Sequence, residues 1–288
     1  MNDAVRQMLD VYACKTRDDY VNAIREILQQ LALLGLWRSK FFEHAAFYGG
    51  TALRILHGLD RYSEDLDFSL LKPDAKFTLG DYGSALQREL ASFGFDVEFE
   101  ARKKKQETAI ESAFLKANTL HQLIVVKAGT SVLGGQHARE VLKIKLEVDT
   151  DPPGGFQTVS RPVLVPIPFA VNAYTAPDLF AGKMHAILCR KWKTRVKGRD
   201  WYDLVWYLGR HPQLRLAHLE QRMRQSGDWS GERALDRTRL VDKLNTSIRA
   251  LDVAQARQEV TRFVRDKASL ELWSTDFFLQ IVDRIETV

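Results

Sequence analysis

Residues 47–71 read FYGGTALRILHGLDRYSEDLDFSLL, and the rest of the chain is organised around this stretch. The apolar run at residues 45–48 predicts a short strand, and residues 65–71 alternate in polarity as a second strand would. Gly49 and Gly50 predict a tight turn that leads from the first strand into a helix. Because neither glycine carries a Cβ atom, the backbone there can turn sharply and approach a ligand closely.

The helix and the second strand each bring polar groups to this turn. Thr51 is predicted to open and cap the helix, whose unpaired amides and positive dipole end favour a phosphate. Asp65 and Asp67 are two residues apart, so on a strand they point to the same face. Two hard carboxylates that face a phosphate cradle are what a Mg²⁺–triphosphate site needs. Taken singly, a Gly-Gly pair is commonly a plain turn and an Asp-x-Asp pair a solvated strand edge, so the prediction depends on their combination.

Length and composition are those of an ordinary globular chain: 288 residues, of which 45% are hydrophobic and 27% charged. A net charge of +5 and a pI near 9.1 permit a nucleic-acid partner without requiring one. The apolar runs are too short to span a membrane and the N-terminus has no secretion signal, so we predict a cytoplasmic protein with no membrane partner. Cys14 and Cys189 are too few and too isolated for a disulfide framework or a zinc site.

The second informative stretch is VLKIKLEVDT at residues 141–150, which alternates as a half-buried strand does. One face of this strand is apolar, and the other carries Lys143, Lys145, Glu147 and Asp149. If this strand lies beside the Asp65–Asp67 strand in one sheet, it supplies a third carboxylate for a metal and a lysine for phosphate. A solvent-facing strand with paired charges is the alternative interpretation.

Two basic segments are candidates for contact with a nucleic acid. Arg102-Lys103-Lys104-Lys105 is a run of four cations, which is typical of a solvated loop; the alternative is contact with the phosphate backbone of RNA or DNA. The segment at residues 190–199 is also rich in Lys and Arg and is a second candidate for such a contact.

The character of the sequence changes near residue 176, and this change predicts the domain organisation. Residues 1–40 are predicted to be a helical segment packed on the next domain, with Gly35 as the end of its helix. Residues 41–175 mix strands and helices, and residues 176–288 contain helices alone. We therefore predict an α+β fold: a mixed β-sheet with flanking helices, followed by a C-terminal helical domain.

The helical region opens with two polar features. Its first helix contains LFAGKMHAILCRKWKTR, which carries Lys183, and the next opens with Gly198-Arg199-Asp200. Asp200 and Asp203 lie three residues apart on one face of that helix. Acids in a first turn often serve only to interact with the helix dipole, which is the alternative to a role in a site.

Together these motifs resemble a known group of proteins. GGTAL followed by SEDLDF is similar to the signature of the polymerase β-like nucleotidyltransferase superfamily. KIKLEVDTDPPGGF, LFAGKMHAILCR and RVKGRDWYDLVWYL resemble the AbiEii/MenT branch, the toxin half of bacterial type IV toxin–antitoxin pairs. The first motif is generic to the superfamily, and the later three narrow the resemblance to the branch.

The resemblance implies a nucleotidyltransferase domain at residues 41–175 and roles for individual residues. Asp65 and Asp67 become the metal-binding carboxylates, with Asp149 as the third unless Glu147 takes that place. The resemblance places Gly50 and Thr51 at the triphosphate, and the predicted nucleotide-binding set also includes Gly49, Ser63 and Lys145. Lys183 matches the nucleotide-contacting lysine of the branch, and either Asp200 or Asp203 matches its late acidic residue.

The activity implied by the resemblance is transfer of a nucleoside monophosphate from a nucleoside triphosphate, with Mg²⁺ or Mn²⁺ as the cofactor. The implied acceptor is RNA, with the tRNA 3′ end as the candidate, and the implied partner is an antitoxin encoded nearby. Transfer to a protein hydroxyl side chain or to a small molecule is the alternative, because such enzymes share every motif named here.

Overall fold

The computed structural model of the protein describes residues 2–101, 119–127, 141–190 and 196–288. The strands are β1 Ala45–Tyr48, β2 Leu66–Leu70, β3 Asp96–Ala101, β4 Thr119–Lys127, β5 Val141–Asp149, β6 Thr158–Val163, β7 Phe169–Tyr174, β8 Gln213–Leu214 and β9 Glu286–Thr287. The helices are α1 Asp3–Asp10, α2 Arg17–Arg38, α3 Gly49–His57, α4 Gly80–Ser92, α5 Ala176–Cys189, α6 Gly198–Arg210, α7 Leu216–Ser226, α8 Arg237–Arg249, α9 Val253–Thr261 and α10 Thr275–Ile281.

The chain folds into two compact units. The first comprises Met1–His57, Tyr62–Pro152 and Val159–Ala173, and the second comprises Gly58–Arg61, Pro153–Thr158 and Tyr174–Val288. The sequence predicts a boundary at residue 41 between an N-terminal helical segment and the nucleotidyltransferase domain, and this boundary stays a prediction.

The core of the first unit is a seven-stranded sheet with the strand order β3-β4-β5-β2-β1-β7-β6. β2 runs antiparallel to β1 and parallel to β5, so the sheet is mixed. Phe68 lies opposite Phe47 on one side and Val148 on the other, and all three side chains are buried. Because side chains alternate between faces, the intervening residues of β2 and β5 lie on the opposite face, and these include Asp67 and Glu147.

The N-terminal segment contains two helices, of which the longer, α2, packs against α4. Thr16 and Asp19 form a capping box that starts α2. Gly35 lies inside this helix, so the prediction that the helix ends there is wrong. A Cβ atom on Gly35 would lie 3.1 Å from the Cβ atom of Glu89 in α4, so the glycine allows the two helices to approach closely.

The second unit is helical in its described residues, apart from the short parallel pair β8–β9. α5 packs against α6, α7 and α8, and α6 packs against α9. Phe180 of α5 stacks on Tyr207 of α6 with ring centroids 4.3 Å apart, and both side chains are buried. Among the described residues, no helix combines the length and apolar character needed to cross a membrane. The predicted α+β fold, a mixed sheet with flanking helices followed by a helical region, is confirmed.

Candidate active site

The turn between β1 and α3 lies directly beneath an acidic side chain. Gly49 is the first residue of α3 and has a φ of +81°, a conformation that costs a residue with a Cβ atom about 1–2 kcal/mol. A Cβ atom on Gly49 would lie 2.2 Å from Oδ2 of Asp67. Glycine is therefore required here both by the backbone conformation and by the close approach of the Asp67 carboxylate.

Thr51 lies inside the first turn of α3, so the predicted role as the helix cap is wrong. The helix begins two residues earlier than expected, at Gly49. The Thr51 side chain is fully buried, and its hydroxyl donates a hydrogen bond to the backbone carbonyl of Asp65. Thr51 thus holds the residue that precedes β2 against the helix.

Asp67 lies in β2 and Asp65 directly precedes this strand, and both are half-buried. β5 brings further charged residues beside Asp67. Asp67 is paired in register with Glu147, whereas Asp149 is paired with Ser69. Lys145 lies two residues before Glu147, and its ammonium group forms an ion pair with the Glu147 carboxylate. The strand register therefore places Glu147, rather than Asp149, beside Asp67.

Asp149 has a local role at the end of β5. Its side chain is buried, and its Oδ1 accepts a hydrogen bond from the backbone amide of Asp151 at 3.1 Å. This bond supports the turn that follows the strand, as aspartate side chains commonly do.

The carboxylates on this face fit a hard divalent cation. Asp65, Asp67 and Glu147 supply oxygen donors, and each is partly exposed to solvent. Mg²⁺ is bound in proteins by one or two carboxylates and retains several waters, so half-buried donors suit it better than a closed cage. Asp67 and Glu147, adjacent in register, are the two donors that the sheet itself places side by side.

Several residues that the sequence analysis did not single out hold α3 and the segment that leads into Asp65. Gln29 donates a hydrogen bond from Nε2 to the backbone carbonyl of Ser63 at 3.1 Å. Glu26 accepts one from Nε of Arg54 at 2.8 Å and one from the Tyr12 hydroxyl at 3.0 Å. In sequence these polar residues look like the solvent-facing side of a helix, so no local signal distinguishes them.

In the second unit, Lys183 of α5 forms ion pairs with both late aspartates of α6. Its Nζ lies 2.6 Å from Oδ1 of Asp200 and 2.8 Å from Oδ2 of Asp203. Arg61 donates to both oxygens of Asp203, from Nε at 2.7 Å and from Nη2 at 2.6 Å. Arg61 was not predicted, because a single arginine in a polar loop gives no sequence signal.

The charges in this cluster stabilise one another in the protein interior. Burial by itself raises the pKa of Asp200, but the charges of Lys183 and Arg190 outweigh it and lower that pKa from 3.8 to about 2. Burial lowers the pKa of Arg61, and the adjacent Asp203 carboxylate more than reverses this effect. The side chain of Asp203 is fully buried, whereas Asp200 remains 6% exposed.

The two basic segments are only partly within the described residues. The Arg102–Lys105 run lies outside them, and so do residues 191–195 of the second segment. Arg190 lies 3.8 Å from the Asp200 carboxylate through Nη1, and the guanidinium group of Arg199 lies 4.2 Å from the centre of the Phe263 ring. Their predicted contact with nucleic acid stays a prediction.

A mixed sheet in which a strand–Gly-Gly–helix unit adjoins an Asp-x-Asp strand is the arrangement of a nucleotidyltransferase. The chain belongs to the AbiEii family, whose model is described as nucleotidyl transferase AbiEii toxin of type IV toxin–antitoxin systems and matches residues 31–281. The chain is accordingly a nucleotidyltransferase of a toxin family.

Two solved structures from Helicobacter pylori resemble the fold. The crystal structure of JHP933 has 15% sequence identity and a TM-score of 0.52, over 91% of this chain and 90% of that one. A putative nucleotidyltransferase has 17% identity and a TM-score of 0.45, over 90% of this chain and 92% of that one. The likeness to JHP933 shows the fold alone. No curated protein matches the sequence.

Proposed function

We propose that the protein transfers a nucleoside monophosphate from a nucleoside triphosphate to an RNA acceptor, with Mg²⁺ held by Asp65, Asp67 and Glu147. The observation that carries this proposal is the position of the Asp67 carboxylate over the Gly49 turn, next to Glu147 in the sheet register. The backbone of the turn and a carboxylate that can hold the metal of a metal–triphosphate complex are thereby side by side.

Each residue of this face has a physical role in the proposed reaction. The Gly49–Gly50 turn would present the first amides of α3 to the proposed phosphate, and the dipole at this end of the helix favours negative charge. A Mg²⁺ held by these carboxylates would neutralise the charge that develops on the triphosphate and orient the acceptor hydroxyl. Lys145, which is paired with Glu147, would act on a phosphate oxygen as a point charge.

Lys183 and the late acidic residue remain predicted contacts of the nucleotide. Of the two aspartates, Asp200 is the better candidate for the late acid. Asp203 is held by Arg61 through two hydrogen bonds and by Lys183, whereas Asp200 keeps some contact with solvent. Ser63 stays among the proposed nucleotide contacts because it opens the SEDLDF motif, and its backbone carbonyl accepts a hydrogen bond from Gln29.

RNA is proposed as the acceptor, with the tRNA 3′ end as the first candidate. Two observations support this proposal: the sequence motifs resemble those of the AbiEii/MenT branch, and the chain has a net charge of +5. Through this reaction the protein would act as a toxin that a partner antitoxin restrains. Transfer to a hydroxyl side chain of a protein would use the same carboxylates, so the identity of the labelled product decides between the two acceptors.

The direct test incubates the purified protein with each labelled nucleoside triphosphate, Mg²⁺ and either total RNA or a protein extract without RNA. We expect label in a nuclease-sensitive, protease-resistant product. Label that is protease-sensitive and nuclease-resistant would establish the protein acceptor instead. Asp67→Asn should abolish labelling, and the matched control Asp96→Asn, an exposed carboxylate at the start of β3, should leave it intact.

A growth experiment tests the proposed toxic action. Expression of the wild type in bacteria without an antitoxin should arrest growth, and expression of Asp67→Asn to the same level should not. Equal arrest by both proteins would show that the toxicity does not depend on the proposed reaction.

A further inference from the structure

A cluster of three metal-ligating side chains lies in the second unit and plays no part in the proposed reaction. Two of its members, His185 and Cys189, are four residues apart on α5 and therefore project from the same face of the helix. Both are buried, with 8% and 2% of their surface exposed. The third member is Asp228, which follows α7.

The end of α7 directs Asp228 toward this face of α5. Gly227 ends the helix with a φ of +79°, and the Asp228 amide donates a hydrogen bond to the carbonyl of Met223 at 2.8 Å. The Ser226 hydroxyl then donates to Oδ2 of Asp228 at 2.6 Å, and its oxygen lies 3.0 Å from Nε2 of His185. The positions of the carboxylate and the imidazole are thus coupled through one hydroxyl group.

We propose that His185, Cys189 and Asp228 form a binding site for Zn²⁺ or a cation of similar chemistry. Their ligand atoms lie within 4.8 Å of one another. The nitrogen, sulfur and carboxylate oxygen of these residues are the donors that zinc takes, and a water completes a tetrahedron. Metal–ligand distances of about 2.0–2.3 Å require ligand atoms roughly 3.5 Å apart, so small side-chain rotations bring the three together around the ion.

Binding replaces a proton on the thiol. Burial, and then the charge of Asp228 and its hydrogen bond with the thiol, raises the pKa of Cys189 to about 12, so without metal the sulfur stays protonated. On binding, the S–H bond breaks, a metal–sulfur bond forms and the proton leaves to solvent, since a coordinating thiol is deprotonated outright.

The charges around the cluster are compatible with a divalent cation. The thiolate and Asp228 together carry two negative charges, which balance the two positive charges of Zn²⁺. The bound ion would join the last turn of α5 to the turn after α7 and so stabilise the second unit.

The sequence analysis predicted no zinc site, because the chain has two isolated cysteines and zinc sites built mainly from thiolates need several. A His–Cys–Asp set needs only one thiolate. The third ligand is separated from Cys189 by a stretch of chain that includes α6 and α7, so no local spacing reveals it.

The test uses the full-length protein, stripped of metal, and Co²⁺ as a spectroscopic substitute for Zn²⁺. One equivalent of Co²⁺ should produce a thiolate-to-cobalt charge-transfer band in the near ultraviolet, and Zn²⁺ should displace it. Cys189→Ala and Cys189→Ser should abolish the band, whereas Cys14→Ser, which changes the other cysteine, should retain it. Asp67→Asn should also retain it, so the result does not depend on whether the proposed transferase reaction is correct.

Affinity and stability provide two further measurements. His185→Gln and Asp228→Asn should each weaken Zn²⁺ binding by about tenfold or more, in competition with a chelating dye. Excess Zn²⁺ should raise the melting temperature of the wild type and not that of Cys189→Ala, since an ion that binds only the folded state stabilises it.

Three results would overturn the proposal. They are the absence of the charge-transfer band in the wild type, its persistence in both Cys189 variants, or its loss in Cys14→Ser. Cooperative thermal unfolding of each metal-free variant establishes that a missing band reflects a missing ligand and not an unfolded chain.

Discussion

The two units hold carboxylates of the same chemistry in opposite surroundings. In the first unit, Asp67 is half-buried on a sheet face that adjoins a glycine turn, and Asp65, also half-buried, directly precedes that strand. In the second, Asp200 and Asp203 are buried, and each lies within 2.8 Å of the Lys183 ammonium group. The partly solvated pair can rearrange around a cation, whereas removing one partner of the buried cluster leaves a charge uncompensated in the interior. Accessibility, more than acidity, separates the candidate metal ligands from the buried Asp203, which Arg61 and Lys183 hold in the interior.

The largest expected effect tests the accessible carboxylates. Asp65→Ala or Asp67→Ala should lower the rate of nucleotidyl transfer by about a thousandfold or more, because a catalytic metal contributes several kcal/mol to transition-state stabilisation. Cooperative unfolding should be retained, since neither side chain anchors the core. The measurement is incorporation of labelled nucleotide, and near wild-type turnover in either variant would contradict the site assignment.

The buried aspartate should show the converse behaviour. Asp203→Ala should reduce the free energy of unfolding by about 3–5 kcal/mol, because Arg61 and Lys183 lose a buried partner. Denaturant unfolding measures this effect. Asp60→Ala is the matched control, because Asp60 lies 3.8 Å from Arg210 in an exposed ion pair. This substitution should lower the free energy of unfolding by at most about 1 kcal/mol. Equal losses in the two variants would remove the contrast between the units.

Gly49→Ala should damage both stability and activity. The backbone conformation should cost about 1–2 kcal/mol, and the new methyl group must displace the Asp67 carboxylate. A displacement of about 1 Å in a catalytic group lowers the rate by up to about a hundredfold. Gly58→Ala is the control, because Gly58 has a φ of +74° but no atom within 4 Å of an added Cβ. Equal activity loss in both variants would show that strain, and not displacement of Asp67, is responsible.

Acid should weaken the second unit through Asp200. Its pKa is about 2 in the folded protein against an ordinary 3.8, so its stabilising contribution is fully present above about pH 4 and is lost as the pH falls through 2. This contribution is about 2 kcal/mol. The slope of unfolding free energy between pH 4 and 2 should be shallower in Asp200→Asn than in the wild type. Identical slopes would mean that the pKa of Asp200 is not lowered in the folded protein.

The smallest expected effect concerns the Arg102–Lys105 run, whose proposed role rests on the sequence alone. Changing Lys103, Lys104 and Lys105 to Gln should weaken RNA binding across sequences. It should also reduce the salt dependence of log affinity by about 0.7–0.9 for each RNA phosphate that the variant no longer neutralises. Nucleotide binding, measured separately, should hardly change. An unchanged salt slope would support the alternative of a solvated loop.

The fold of the first unit could be anticipated wherever the pattern is local. The strand at residues 45–48, the glycine turn and a strand that carries Asp67 depend on neighbouring residues, and the structure has each of them. Asp65 was expected in that strand and instead directly precedes it. The predictions for Gly35 and Thr51 were wrong because they relied on the same kind of local pattern. The effect of Gly35 depends on α4, and the start of α3 depends on a left-handed Gly49, so neither could be judged from adjacent residues.

By itself the sequence determined the α+β architecture, the two aspartates that flank the start of β2 as metal-ligand candidates, and the family to which the chain belongs. Only the tertiary structure decided that Glu147 lies beside Asp67, that Lys183 is shared by Asp200 and Asp203, and that Asp228 meets His185 and Cys189. The physical reason is the range of the interactions. Side-chain periodicity is set by bonds along the backbone, whereas strand register and buried ion pairs are set by the packing of segments far apart in the chain.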